Sequence, residues 1–268
     1  MFDRFNREIN YLRISVTDRC NLRCTYCMPE QGVIPKRHQD ILSYEKMVEV
    51  ARAAITLGIK KIRLTGGEPL VRKGVISLVE QLKKLPGLKE LTLSTNGVLL
   101  ETMAHPLKAA GIDRINVSLD TLDPKKYKKL TRIGDIKCVL KGIDAVIDAG
   151  FKNSKINMVL IPGVNDDEVE SMKAFCKEKG FSLQRINHYS LSDIKSIDRN
   201  YIAERPLKCE YCNRIRLTAD GKLKPCLFSD LEIPLDFNNL KESLIKAIQS
   251  KPEAGTCNSN RQNWQIGG

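Results

Sequence analysis

Three cysteines stand at the spacing Cys20-x-x-x-Cys24-x-x-Cys27, and three more form Cys209-x-x-Cys212 with Cys226 a short way downstream. The N-terminal stretch is charged and has no apolar core of the kind a secretory signal carries, so a cytoplasmic location is expected. Disulfides rarely persist there, and clustered cysteines in that compartment read as metal ligands or catalytic groups. Three thiolates are one fewer than a four-iron cluster takes. A cluster on Cys20, Cys24 and Cys27 therefore keeps one iron open to a small molecule. A structural zinc ion is the alternative; it wants four ligands, and His38 is the candidate for the fourth.

Between Cys212 and Cys226, Asp220-Gly221 is a strong hairpin-turn signal. A turn centred there sets Cys226 opposite Arg214 or Ile215. Neighbouring strands lie about 4.8 Å apart, so the hairpin returns Cys226 to the side of Cys212. This group holds a second iron–sulfur cluster or, with Cys257 or His188 as a fourth ligand, a zinc ion. Arg214 and Arg216 are two apart on the same strand and share a face. Two guanidinium groups beside an open iron suit a phosphate-bearing ligand; the plainer alternative is a pair of edge-strand charges facing water. Of the remaining cysteines, Cys138 and Cys176 sit in helical patterns as small buried core residues, and Cys257 is isolated near the C-terminus.

The elements that must position these residues follow a regular plan. Strand-like runs recur at 11–16, 61–65, 90–95, 114–119, 155–160 and 182–187. Helical patterns lie at 44–57, with Ser43 as N-cap, and at 75–84, 100–110, 137–149 and 166–179. Such alternation predicts a parallel sheet with crossover helices. About six units are present, fewer than the eight of a closed barrel. The expected fold is α/β, a partial (βα)6 TIM-like barrel over 1–187, with an open doubly wound sheet as the alternative. A small extension over 188–268 carries the second cysteine group. It begins as an irregular linker at 188–208 and ends in a helix at about 239–249 and a polar tail closing on Gly267-Gly268. The first cysteine group directly follows the first strand, where parallel folds gather ligand sites.

With 268 residues and a 42% hydrophobic fraction, the chain can bury a substantial core, and no apolar run is long enough to cross a bilayer. The net charge of +12 favours phosphorylated small molecules, nucleic acid or acidic membranes as partners. Much of it reads as solvated surface, as in Lys125-Lys126-Tyr127-Lys128-Lys129.

The CxxxCxxC spacing, the aromatic Tyr26 before its last cysteine, and Thr65-Gly66-Gly67-Glu68-Pro69 after the second strand resemble the radical S-adenosylmethionine (SAM) superfamily. That resemblance implies a [4Fe-4S] cluster whose open iron is chelated by the methionine amino and carboxylate groups of SAM. Electron transfer from the cluster would then release a 5′-deoxyadenosyl radical. It also implies SAM contacts at Tyr26, Gly66, Gly67, Glu68 and Ser118.

Further stretches are similar to the GTP 3′,8-cyclase family of molybdenum cofactor biosynthesis. They are Asn10-Tyr-Leu-Arg-Ile-Ser-Val-Thr-Asp-Arg-Cys20, Ser94-Thr-Asn-Gly97, Arg114-Ile-Asn-Val-Ser-Leu-Asp120, Cys212-Asn-Arg-Ile-Arg-Leu217 and the Gly267-Gly268 tail. The resemblance implies a second [4Fe-4S] cluster on Cys209, Cys212 and Cys226, and GTP held between the clusters by Arg13, Arg63, Ser94, Lys155, Arg214 and Arg216. Arg214, Arg216, Gly267 and Gly268 would serve catalysis, and ribose C3′ would be joined to guanine C8. A flavodoxin or ferredoxin as electron donor and a homodimer are compatible with it; nucleic acid and membranes are not expected partners.

The chain departs from the family pattern in being shortened before Cys209, in having Asn187 at an acidic position, and in having Ser190 where a methionine is expected. A paralogue acting on another nucleotide or a peptide therefore stays open. So does, from a different class, a non-catalytic metal-binding protein that binds RNA.

Overall fold

The computed structural model describes residues 1–34, 36–197 and 203–267. Strands β1 (Tyr11–Ser15), β2 (Lys61–Thr65), β3 (Glu90–Thr95), β4 (Arg114–Ser118), β5 (Lys155–Leu160) and β6 (Ser182–Asn187) pair in parallel in chain order. Between them run α1 (Tyr44–Thr56), α2 (Val75–Lys83), α3 (Leu100–Ala110), α4 (Pro124–Thr131), α5 (Ile136–Asp148) and α6 (Val169–Lys179). Ser43 caps α1 by accepting from the Lys46 N–H. The pattern expected to be helical from residue 166 divides into a short 3-10 turn, Asp166–Glu168, and α6.

The chain then adds β7 (Arg214–Leu217), β8 (Lys222–Lys224), β9 (Ile233–Pro234), α7 (Leu240–Gln249) and the short α8 (Asn263–Ile266). β7 joins β1 in parallel, and β8 and β9 continue antiparallel, so the sheet order is β6-β5-β4-β3-β2-β1-β7-β8-β9. The result is a partial barrel whose sheet does not close. The C-terminal hairpin extends the same sheet through the β1–β7 pairing.

Alternation along the strands decides what the two faces do. Leu12, Ile14, Ile62, Leu64, Leu91, Leu93, Ile115, Val117, Ile156, Met158, Ile215 and Leu217 are fully buried and form one core with the helices. The residues between them are polar: Arg13, Arg63, Thr92, Ser94, Asn116, Asn157, Arg214 and Arg216. A fully packed parallel barrel is apolar on both faces of its strands. Here one face is kept for polar chemistry. Cys176 lies in the core at 2% exposure, whereas Cys138, expected to be buried, is only half-buried on α5.

Candidate active site

The loop after β1 carries Cys20, Cys24 and Cys27 and is held by neighbours on both sides. Gly67 N–H donates to Thr17 O (2.8 Å) and Glu68 N–H to Arg19 O (2.7 Å). A Cβ on Gly67 would stand 2.3 Å from Arg19 O, and one on Gly66 2.5 Å from Thr17 O. The glycines thus let the second-strand loop press against the cysteine loop. Gly67→Ala should cost about 1–3 kcal/mol as an overpacked contact. It should lower both the melting temperature of the metal-free protein and the iron bound after reconstitution. Unchanged iron content would show that the loop tolerates the displacement.

On the other side, Arg132 donates from Nη1 to Arg23 O and Met28 O, both at 2.8 Å. Sequence reasoning did not single out Arg132, because nothing in Thr131-Arg132-Ile133 forms a motif.

The glutamate of the glycine-rich stretch is 1% exposed. Its Oε1 accepts from Leu70 N–H (3.0 Å) and the Thr95 hydroxyl (2.8 Å), and its Oε2 from Asn96 N–H (2.7 Å). Burial pushes Glu68 up to about 7. Asn96 donates from Nδ2 to Asn21 Oδ1 (2.7 Å) and lies 3.9 Å from Cys20 Sγ, which also accepts from Leu22 N–H at 3.4 Å. Tyr26 donates its hydroxyl to Asp120 Oδ2 at 2.6 Å, and burial raises Asp120 to about 6. Ser118 is exposed at the C-terminal end of β4.

Burial pushes the Cys20 thiol up to about 11, the Cys27 thiol to about 12 and Cys24 well above its ordinary value. Asp120, Cys27 and Cys20 add to the shift on Cys24. Such thiols stay protonated until a metal displaces the proton. Among the described residues the three thiols are not drawn together into a formed metal site; their donor chemistry, with N–H donors on Cys20 Sγ, suits a cluster that leaves one iron for a small ligand.

The second group has a different electrostatic setting. In the β7–β8 register Arg216 faces Lys224 and Leu217 faces Leu223, which carries on to Cys226 opposite Arg214. Lys251, just past α7, is 2% exposed; its Nζ donates to Arg214 O (2.9 Å) and Pro225 O (2.7 Å) and reaches the Cys212 thiol. Burial pushes Cys212 up, but Lys251 and then Arg214 outweigh it and draw the thiol down to about 7. Arg7 donates from Nη1 to Cys209 O (3.0 Å) and Glu253 O (2.8 Å). Of the other ligand candidates, His188 lies edge-on to Tyr26 with centroids 6.3 Å apart, His38 is exposed, and Cys257 is exposed.

Between β1, β7 and β6 lies a cavity of about 320 Å³. Its lining includes Arg13, Arg63, Arg205, Arg214, Arg216, Lys208 and Lys251 together with Cys209, Cys212 and Cys226, and no carboxylate among the described lining residues. Register explains the crowding: Arg13 is paired across the sheet with Arg63 on β2 and with Arg216 on β7. Like charges opposite one another in a sheet are destabilising. Burial, then Arg216, holds Arg13 well below the usual arginine range. The Tyr11 ring lies between Arg63 and Arg214, 5.7 and 5.9 Å from its centroid. Tyr11 Oη, Asn157 Oδ1, Asn187 Oδ1, Arg205 Nη1 and Arg214 Nε are buried without a hydrogen-bond partner among the described residues. Buried polar atoms of this kind await a ligand or water.

Two of the expected substrate residues stand apart. Ser94 Oγ is buried on β3 without a hydrogen-bond partner among the described residues, and Lys155 begins β5; neither lines the cavity. The C-terminal tail does come to the site. Arg216 Nη1 donates to Gly267 O at 3.0 Å, and a Cβ on Gly267 would stand 2.2 Å from Thr65 Cγ2. The Trp264 N–H is directed at Cys27. Gly268 lies outside the described residues.

The model of the radical SAM superfamily matches residues 14–176. This chain belongs to that superfamily. Its members carry a [4Fe-4S] cluster and SAM, the two cofactors that the first cysteine group and the glycine-rich loop suit. Curated relatives refine the placement. A GTP 3′,8-cyclase of Peptoclostridium acidaminophilum is 42% identical over 319 aligned positions, covering 100% of this chain and 98% of the relative. One from Thermodesulfovibrio yellowstonii is 39% identical, covering 94% and 95%. By these measures the chain is a radical SAM enzyme of the GTP 3′,8-cyclase family. The 319 aligned positions against 268 residues accord with the shortening noted in the sequence. Among solved structures, Streptococcus suis SuiB aligns with a TM-score of 0.70 at 16% identity over 92% of this chain and 68% of that one. The SAM-bound anSMEcpe gives 0.64 at 17% over 91% and 78%. At such identities the likeness is one of fold. No helix of the described residues is long and apolar enough to cross a membrane.

Proposed function

We propose that this chain cyclises GTP, joining ribose C3′ to guanine C8, as a step of molybdenum cofactor formation. The observation that carries the reading is the cavity itself, where five arginines and two lysines meet three cysteines with no carboxylate among the described lining residues. A nucleoside triphosphate supplies the negative charge that this arrangement lacks, and its base supplies partners for the unpaired Tyr11, Asn157 and Asn187 atoms. The volume of about 320 Å³ is at the small end of ligand pockets. The names of the curated relatives point the same way.

In this reading Cys20, Cys24 and Cys27 hold the SAM-binding cluster, and Cys209, Cys212 and Cys226 hold a second one beside the nucleotide. The first cluster, when bound with SAM, supplies the adenosyl radical. The rest is the work of side chains and backbone. Tyr26, Gly66, Gly67, Glu68 and Ser118 shape the SAM side; Glu68 does so by fixing the loop, since its carboxylate already accepts three hydrogen bonds. Arg13, Arg63, Arg214 and Arg216 grip the nucleotide, with Ser94 and Lys155 at the margins. Gly267, held by Arg216, brings the C-terminal tail to the cavity, and Gly267 and Gly268 would serve catalysis. Inward-facing cations suit a small anion better than the long phosphate backbone of an RNA, which needs an open basic face.

The test is an anaerobic reaction of cluster-reconstituted protein with SAM, a reductant and GTP, read by mass spectrometry. Formation of 5′-deoxyadenosine together with a cyclised GTP product is the expected result. If 5′-deoxyadenosine forms while GTP stays intact, another nucleotide or a peptide is the substrate and the present reading fails.

A further inference from the structure

The shortened connection before Cys209 brings a cation that no family motif accounts for. After β6 the described chain returns at residue 203 and runs beside it. Arg205 bridges Ile186 in the parallel sense, Arg205 N–H donates to Arg185 O (3.2 Å), and Asn187 N–H donates to Arg205 O (2.9 Å). This stub lies along the outer side of β6, the edge of the six parallel strands. Alternation along it then sorts two charges. Glu204 is exposed and pairs with Arg185 at 2.6 Å. Arg205 lines the cavity.

Among the described residues, only Tyr11 and Cys212 act in favour of the Arg205 charge. Its Nη1 is buried without a hydrogen-bond partner, and it forms no ion pair among the described residues. Burial and then Arg214 draw it down to about 10, and Arg63 contributes in the same direction. Burial and then Arg114 lower Lys155 at the start of β5, and Arg205 and Arg63 add in the same direction. A guanidinium placed against other guanidiniums costs stability. A multiply charged anion in the cavity offsets that cost, and the more so the more phosphates it carries.

We propose that Arg205 is a specificity-determining residue that makes this cavity prefer a nucleoside triphosphate over the corresponding monophosphate. The inference rests on the nucleotide reading above and adds a residue supplied by this chain's own short connection. Opposite β1 and β7, Arg205 completes a ring of cations that Arg13, Arg63, Arg214 and Arg216 leave open toward β6.

The experiment measures anaerobic equilibrium binding of GTP, GDP and GMP to the reconstituted protein and to Arg205→Gln and Arg205→Lys, with iron content recorded for each. Loss of a charge-assisted hydrogen bond is expected to weaken GTP binding about ten- to a hundred-fold in Arg205→Gln, with less than about a three-fold effect on GMP. Arg205→Lys, which keeps the charge and loses the fork geometry, should fall between. Unchanged GTP binding in Arg205→Gln overturns the proposal, and so does equal weakening of GTP and GMP, which would mark a merely structural role. Should Arg205→Gln fail to load iron, Arg205→Lys decides: a narrowed GTP-to-GMP preference supports the assignment, and an unchanged one overturns it. A wild-type protein that binds none of the three nucleotides overturns the nucleotide reading itself, whereas wild-type binding with indifferent variants removes only Arg205.

Discussion

Cys24→Ala is expected to abolish SAM cleavage altogether. Cys24 is the middle thiol of a loop whose backbone is independently fixed. Its carbonyl accepts from Cys27 N–H and Met28 N–H, both at 2.9 Å, and Arg132 and the Gly66-Gly67 stretch hold the loop from either side. The substitution therefore removes a ligand and leaves the scaffold standing. Two thiolates do not retain a cluster that three must hold while one iron stays open. The Cys24 thiol, raised above its ordinary value, is neutral near pH 7 in the folded and the unfolded chain alike, so its loss removes no buried charge and the metal-free protein should melt close to wild type. With the second cluster proposed above, iron bound after reconstitution should fall by about half, and 5′-deoxyadenosine should drop below detection. Cys226→Ala makes the contrast: it should lose about the same share of iron and keep SAM cleavage, while product disappears. Persistent 5′-deoxyadenosine from Cys24→Ala would sink the assignment of the first cysteine group.

These outcomes depend on residues that differ in how readily they could be read. Most of the strands were legible because apolar and polar residues alternate along them, as in Lys61–Thr65. Glu90–Thr95 and Lys155–Leu160 begin and end where the sequence pattern puts them. The place of Cys226 was legible for a local reason: Asp220-Gly221 sets the hairpin register, and the observed pairs extend to Cys226 opposite Arg214. The parallel pairing of β7 with β1 was not legible. It joins segments two hundred residues apart (Tyr11 with Arg214), and it is what gathers Arg13, Arg63 and Arg216 into one row. Lys251 was missed because a lysine just past an amphipathic helix reads as an exposed charge near a helix C-terminus. Its burial depends on the carbonyls of Arg214 and Pro225, which only the folded hairpin delivers. Glu68 shows the opposite case. The motif was plain, yet its carboxylate turns out to be bonded within the protein, so the part proposed for it in SAM binding is to fix the shape of the loop.

Arg216→Ala is expected to leave SAM cleavage in place and remove most of the cyclised product. Arg216 is 4% exposed, stands next to Arg13 in the β1–β7 register, and lines the cavity. Burial, then Arg214, draws it below the usual arginine range, so in the absence of substrate it is a costly group to keep. Its Nη1 hydrogen bonds to Gly267 O and Ile266 O, at 3.0 and 3.4 Å, are the visible return. Alanine thus removes a phosphate-seeking cation and the anchor of the tail together. Each charge-assisted hydrogen bond is worth about 1.5–3 kcal/mol, so losing one costs about ten- to a hundred-fold in product formation and losing both costs more. Arg216 itself contacts none of the first-group thiols, and the link through the tail is the single Trp264 N–H directed at Cys27, so 5′-deoxyadenosine should continue to form, now uncoupled from GTP. Arg216→Lys separates the two roles. It keeps a charge in the cavity but cannot present the planar fork, so it should recover part of the GTP affinity with little of the turnover if the tail matters. Equal product from Arg216→Ala and wild type would remove Arg216 from the site, and loss of 5′-deoxyadenosine along with product would place its action on the SAM side instead.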